Sequence, residues 1–69
     1  MITAKTKKGT EVYVTTTPDC DENKGGLYCQ IYLEEDGEEY DDFCLHKEEL
    51  AEKDEETLIR EHVAEIVEY

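Results

Sequence analysis

The chain has 69 residues, the size of one small domain, and carries 20 acidic against 7 basic residues, a formal net charge of -13 at pH 7. This charge repels phosphates, which argues against direct binding of nucleic acid and against a peripheral site on anionic membranes. No apolar run approaches the roughly 18 residues of a membrane span, and no basic segment precedes an apolar core as in a signal peptide. We therefore expect a cytoplasmic protein.

The first third of the chain has the pattern of a β-hairpin. Residues 2–6 alternate apolar and polar side chains, as a half-buried strand does. Residues 11–17 are rich in β-branched and aromatic side chains, which favours a second strand that ends at Pro18. Lys7-Lys8-Gly9 between them is typical of a tight turn. A polar loop over residues 19–26 follows.

Residues 27–45 predict a second hairpin. Its first strand alternates strictly, and the apolar face consists of Leu27, Cys29, Ile31 and Leu33. The opposite face consists of Tyr28, Gln30 and Tyr32. Asp36-Gly37 is a strong signal for a type I′ turn, because glycine accepts positive φ. The returning strand covers residues 39–45, with Phe43 and Leu45 on the apolar side.

The last third predicts helices. Residues 47–52 fit a short helix, and Asp54 suits the N-cap of a second one, with Glu55 and Glu56 at the positive end of its dipole. Apolar residues then follow at helical spacing: Ile59, Val63, Ile66 and Val67, with Leu58 beside them. This stripe must be buried against the apolar side of the strands.

The predicted fold is α+β, in a single small domain over residues 1–69. It has a four-stranded, mainly antiparallel sheet with the C-terminal helix packed on one face. Short connections favour a meander as the strand order. The strands contribute to the core through Ile2, Val12, Val14, Leu27, Ile31, Leu33, Phe43 and Leu45.

Metal and catalytic motifs are weak in this chain. Its odd number of cysteines, Cys20, Cys29 and Cys44, favours reduced thiols over a disulfide framework. The polar loop begins like a calcium loop, but Lys24 stands where the sharp turn needs glycine and Gln30 where a bidentate glutamate is needed. Cys44 and His46 share a strand face without the close cysteine pairs typical of zinc sites. We expect no metal, no cofactor and no enzymatic activity.

The net charge belongs to the second half of the chain. Residues 1–33 are neutral, with four acids against four lysines, whereas residues 34–69 carry 16 acids against three basic residues. One group, named here the hairpin acids, comprises Glu34, Glu35, Asp36, Glu38, Glu39, Asp41 and Asp42. A second group, the helical acids, comprises Glu48, Glu49, Glu52, Glu55 and Glu56.

The spacing of these acids resembles that of phosphates along a nucleic acid. Acids two residues apart on a strand, or four apart on a helix, are separated by about 6 to 7 Å. Such a field complements a groove of lysine and arginine side chains and speeds the encounter with it. The pattern predicts a non-enzymatic inhibitor that docks on the basic, nucleic-acid-binding surface of a partner protein and blocks binding of DNA or RNA.

The sheet face away from the helix supports an alternative. We expect it to carry Tyr13, Tyr28, Tyr32 and Tyr40, together with Asp42. Tyrosine is enriched at protein interfaces, although it is also an ordinary strand residue. This composition leaves open a self-associating structural or assembly module, such as a homodimer, that uses the tyrosine face.

In its size, its charge and its acidic hairpin from Glu34 to Asp42, the chain resembles a class of proteins. These are the very small, acidic, single-domain α+β proteins that phages encode to inhibit host defence, including anti-CRISPR and anti-restriction proteins. Several members of that class mimic nucleic acid. The resemblance implies a CRISPR effector complex or a restriction enzyme as the partner, and the host cell cytoplasm as the place of action.

Overall fold

Four strands and two helices follow one another in this computed structural model, which describes residues 1–19 and 24–66. In chain order they are β1 (Ile2–Lys5), β2 (Glu11–Pro18), β3 (Leu27–Leu33), β4 (Glu39–Leu45), α1 (Lys47–Glu52) and α2 (Glu55–Ala64). The sheet has the order β1-β2-β3-β4, and every neighbouring pair is antiparallel. The predicted α+β fold and the meander are confirmed. The prediction of a polar loop falls partly on residues 20–23, outside the described residues.

The core lies between the sheet and α2. Among the described residues its buried side chains are Val12, Val14, Cys29, Ile31, Leu45, Leu58, Ile59 and Val63. The strand residues alternate along β2, β3 and β4 because successive side chains of a strand point to opposite faces. The helical residues come from one side of α2. The predicted stripe is confirmed through Ile66, which packs against this core, while Val67 lies outside the described residues.

The second helix begins where the sequence predicts. The carboxylate of Asp54 accepts hydrogen bonds from the backbone N–H of Thr57, at 3.4 Å, and from its hydroxyl, at 2.6 Å. These bonds satisfy a donor that the first turn of a helix leaves unpaired. They also hold the pKa of Asp54 below its ordinary value, because they stabilise the charged form.

The β3–β4 turn differs from the predicted type. The backbone N–H of Leu33 donates to the carbonyl of Glu38, and that of Gly37 donates to the carbonyl of Leu33. These bonds close a four-residue loop in which Gly37 has a φ of 74°, and no described residue other than glycine has a positive φ. A type I′ turn needs positive φ at both central residues, so that prediction is wrong, although the hairpin itself is confirmed.

A β-bulge at Tyr40 shifts the register of β4. Ile31 pairs with Asp41, whereas the next residue, Tyr32, pairs with Glu39, so Tyr40 is the additional residue. The side chain of Tyr40 packs against the core. The prediction that placed Tyr40 on the sheet face away from the helix is therefore wrong. Strict alternation of side chains cannot reveal a bulge, because one extra residue reverses the face of everything beyond it.

Candidate protein-interaction surface

The sheet face opposite α2, named here the open face, consists of alternate side chains from all four strands. Cross-strand pairing arranges them in rows. The row that spans all four strands contains Thr3, Tyr13, Tyr32 and Glu39, and it is one step from the Lys5–Glu11 pair at the turn end of the sheet. The next contains Thr15, Gln30 and Asp42, and the third contains Thr17, Tyr28 and Cys44.

Two tyrosines form a stacked pair in the first of these rows. The rings of Tyr13 and Tyr32 have their centroids 5.2 Å apart and their planes 18° from parallel. Both side chains are half-buried. Gly37 of the β3–β4 turn lies beside them, since a Cβ built on it would be 3.7 Å from the Tyr13 hydroxyl oxygen. The aromatic pair therefore adjoins the acidic turn.

Hydrogen bonds connect two other side chains of the open face, Tyr28 and Gln30, to two of the hairpin acids. The Tyr28 hydroxyl donates to Oδ2 of Asp42 at 2.7 Å, and Nε2 of Gln30 donates to Oε1 of Glu39 at 3.5 Å. The bond to Asp42, followed by burial and by the carboxylate's charge, raises the pKa of Tyr28 to about 12. Three tyrosines and two of the hairpin acids, which the sequence suggested as parts of two alternative contact surfaces, here share one face.

The other hairpin acids lie at the turn and along β4, an edge strand of the sheet. All seven are exposed. Two of them accept local hydrogen bonds that fix their orientation: Asp36 from the backbone N–H of Glu38 at 3.0 Å, and Asp41 from that of Asp42 at 2.8 Å. The ion pairs that form between described residues join Glu11, Glu56 and Glu61 to basic side chains, and no hairpin acid takes part in them.

The helical acids are divided between two regions. Those of α1 are Glu48, Glu49 and Glu52, and they follow the end of β4 that is farther from the turn. Glu56 forms an ion pair with Arg60, whose Nη2 donates to the backbone carbonyl of Thr3 in β1 at 3.5 Å. Glu56 therefore lies toward the β1 edge, across the sheet from the hairpin acids.

The described cysteines and His62 differ in their burial and in their contacts. Cys29 is fully buried, and this burial, followed by the charge of Glu55, raises the pKa of its thiol to about 11. The thiol stays protonated at neutral pH and is a poor nucleophile. Cys44 is exposed; both are thiols rather than disulfides, and Cys20 lies outside the described residues. The ring of His62 stacks on Phe43, with centroids 4.6 Å apart.

The described residues contain neither a candidate metal-binding cluster nor a membrane-spanning helix. No group of three or more histidine, cysteine, aspartate or glutamate side chains there has an arrangement that would hold a metal ion. No helix of the described chain has both the length and the apolar character needed to cross a bilayer.

No family model, curated protein or solved structure matches the chain. The contacts of the surface are thus the remaining guide to function. Sequence reasoning assigned Tyr28 and Asp42 to one face but did not foresee their hydrogen bond, which depends on the register of β3 against β4. It also missed the link from Gln30 to Glu39, because the bulge decides which face Glu39 occupies.

Proposed function

We propose that this protein is a non-enzymatic inhibitor that docks its hairpin acids on the basic, nucleic-acid-binding surface of a partner protein. The observation that supports this most is the charge of one hairpin. Residues 27–45 contain seven acids and neither lysine nor arginine. In the described part of the chain, no ion pair neutralises these acids. Their field is therefore directed at solvent.

The placement of the acids suits a long, basic groove. The seven residues of β4 span about 23 Å by the rise of a strand. Glu39, Asp41 and Asp42 occupy the half of this edge strand nearer the turn, and the acids of α1 follow beyond its far end. Over a comparable length, one strand of duplex DNA presents a phosphate about every 3.4 Å. A groove that holds several phosphates would meet carboxylates at several positions.

Charge on an edge strand also has an ordinary structural role. Charged side chains prevent edge strands from pairing with other chains, and a net charge of magnitude about 2 to 8 keeps a small domain soluble. The charge of -13 exceeds that range. Close carboxylates also repel one another, which destabilises the compact state. The excess over what solubility and edge protection require supports a binding role.

The open face favours a basic partner over a second copy of the chain. Glu39 and Asp42 lie among its tyrosines. Two copies that met through this face would bring these carboxylates close to one another, which costs free energy. A self-associating module that uses the tyrosines is the alternative function, and a pull-down with two variants of equal net charge discriminates between the two.

The experiment is a pull-down from cell lysate with two variants that remove the same charge. The hairpin variant combines Glu38→Gln, Glu39→Gln, Asp41→Asn and Asp42→Asn. The control variant combines Glu11→Gln, Glu56→Gln, Glu61→Gln and Glu65→Gln, none of which belongs to β4 or its turn. Each change of four charges takes the net charge from -13 to -9. A general effect of charge would therefore act equally on both variants.

We expect the wild-type protein and the control variant to retain the same nucleic-acid-binding protein at about 50 mM salt and to release it at about 500 mM salt or on addition of DNA or RNA. The hairpin variant should not retain it. Equal retention by both variants would contradict the proposal. Recovery of the chain alone, with a salt-resistant dimer in sedimentation, would favour the self-associating module.

The resemblance to phage inhibitors of host defence indicates which purified proteins should be tested first as partners. A CRISPR effector complex and a restriction enzyme are both proteins that hold nucleic acid in basic grooves. If the protein acts on one of them in the host cytoplasm, it should compete with the cognate nucleic acid in a binding assay. The hairpin variant should lose this competition, and the control variant should keep it.

A further inference from the structure

The open face combines two chemical features that together select one kind of side chain. Tyr32 is stacked on Tyr13 on its β2 side, so its other ring face is directed toward β4. Its cross-strand neighbour there is Glu39, whose carboxylate is held by Gln30. An aromatic ring face and a carboxylate thus adjoin on a half-exposed surface.

We propose that the open face binds an arginine side chain of the basic partner, with its guanidinium group stacked on Tyr32 and paired with Glu39. This inference rests on the proposed function, because it names the side chain that the acidic surface selects. Asp42, in the neighbouring row, adds a second negative charge to the same face of the sheet.

Arginine fits this position better than lysine does. The guanidinium group is planar, is less strongly hydrated than an ammonium group and offers a fork of N–H donors. It can therefore stack on a ring and donate hydrogen bonds to a carboxylate at the same time. The ammonium group of lysine is a compact, well-hydrated point charge. A surface with carboxylates alone would discriminate little between the two, whereas the ring of Tyr32 adds a contact that favours arginine.

Other occupants of the face fit its charge less well. Exposed aromatic rings stack on nucleobases in proteins that bind single strands, but those proteins surround the rings with positive charge. Here the neighbours of Tyr32 include two carboxylates, which would repel the phosphates of a nucleic acid. A second copy would bring the same carboxylates together. Charge complementarity therefore points to a cationic protein segment.

The test compares two labelled peptides of equal length, an oligo-arginine and an oligo-lysine, by fluorescence anisotropy. We expect the wild-type protein to bind the arginine peptide about three- to fivefold more tightly at equal salt, the effect of an exposed cation–π contact. Tyr32→Thr should abolish this preference while leaving the affinity for the lysine peptide unchanged. Tyr32→Phe keeps the ring and should keep the preference.

A matched control removes a different ring from the same face. Tyr28→Thr should leave the ratio of the two affinities unchanged, because Tyr28 lies outside the stacked pair. A readout independent of variants is the NMR signal of the Tyr32 ring in the wild-type protein, which should shift with the arginine peptide more than with the lysine peptide. Equal shifts would contradict the proposal even if Tyr32→Thr failed to fold.

The outcomes separate this proposal from the function on which it rests. If both peptides bind in a salt-dependent manner but with equal affinity, or if Tyr32→Thr keeps the preference, the arginine site is wrong and the acidic docking surface stands. If neither peptide binds, or if the hairpin variant binds both as tightly as wild type does, both proposals fail. A dimer in sedimentation that Tyr32→Thr dissociates would identify a second copy as the occupant and overturn the arginine site.

Discussion

The β1–β2 pair and the β3–β4 pair are both antiparallel hairpins, and they carry opposite charges. Residues 2–18 carry three lysines against one glutamate, a net charge of +2, and residues 27–45 carry seven acids without lysine or arginine, a net charge of -7. Each hairpin places alternate apolar side chains in the common core. Each turn contains a glycine with positive φ, Gly9 at 92° and Gly37 at 74°.

The two turns lie at the same end of the sheet, where Gly9, Thr10, Glu34 and Glu35 line one shallow groove. Two hairpins that meet the same packing requirements thus differ where the side chains face solvent. The fold therefore does not dictate the charge of the second hairpin. The acids of the second hairpin are not required for folding, and their repulsion lowers stability. They are therefore available for recognition of a partner.

The largest effect we expect comes from the core that both hairpins share. Ile59 is fully buried on α2. Ile59→Ala should lower the free energy of unfolding by about 2 to 5 kcal/mol, through lost burial and the cavity that remains. For a domain of this size that is a large part of the total of about 3 to 10 kcal/mol. Urea unfolding followed by circular dichroism measures it. The exposed control Ala64→Ser on the same helix should change stability little, and a similar loss for both would contradict the assignment of the core.

The two turn glycines test whether the hairpins differ in binding while they contribute alike to stability. A residue with a side chain at positive φ costs about 1 to 2 kcal/mol, so Gly9→Ala and Gly37→Ala should destabilise the protein by similar amounts. Neither added Cβ would meet a close steric clash, since the space beside Gly9 is open and the nearest contact at Gly37 is 3.7 Å. In urea unfolding the two variants should be alike. In peptide binding, Gly37→Ala should have the larger effect because it alters the acidic turn; equal effects on binding would remove the distinction between the hairpins.

Local patterns predicted most of the fold. The bounds of β3, β4 and α1 are those expected from alternation, turn residues and spacing, and Asp54 is the N-cap. The errors fall where one residue decides a geometry that the pattern does not contain. The Asp36-Gly37 signal identified the hairpin but not the four-residue loop, and the bulge at Tyr40 interrupts an alternation that looks regular in the sequence.

The candidate surface was less predictable than the fold. The seven hairpin acids could be identified from composition alone, and their exposure is as expected. Their relation to the tyrosines depends on which residues pair across β3 and β4, and that register follows from the bulge. Glu56 shows the same limit at the other edge, because its ion pair with Arg60 follows from how α2 lies against β1 rather than from any local pattern.

The smallest effect we expect is a pH dependence of the protein's stability, which arises from a hydrogen bond between the two strands of the acidic hairpin. The hydrogen bond to Asp42 raises the pKa of Tyr28 from 10.0 to about 12, so between these values the folded protein binds more protons than the unfolded chain does. Its contribution to stability is therefore fully present below pH 10 and is lost as the pH rises toward 12. Cys29, with its pKa raised by burial from 9.0 to about 11, adds a loss that begins at lower pH.

Tyr28→Phe separates the two contributions. The difference in unfolding free energy between wild type and Tyr28→Phe should be constant up to about pH 10 and should diminish above it, while the loss due to Cys29 persists in both. Asp42→Asn should weaken the pH dependence assigned to Tyr28, because it removes the charge that holds the hydroxyl proton. A difference between wild type and Tyr28→Phe that stays constant to pH 12 would mean that the bond from Tyr28 to Asp42 does not persist in solution. The acids and tyrosines of the open face would then be neighbours without being coupled, and Asp42 would be as free to meet a cationic partner as the acids of the turn.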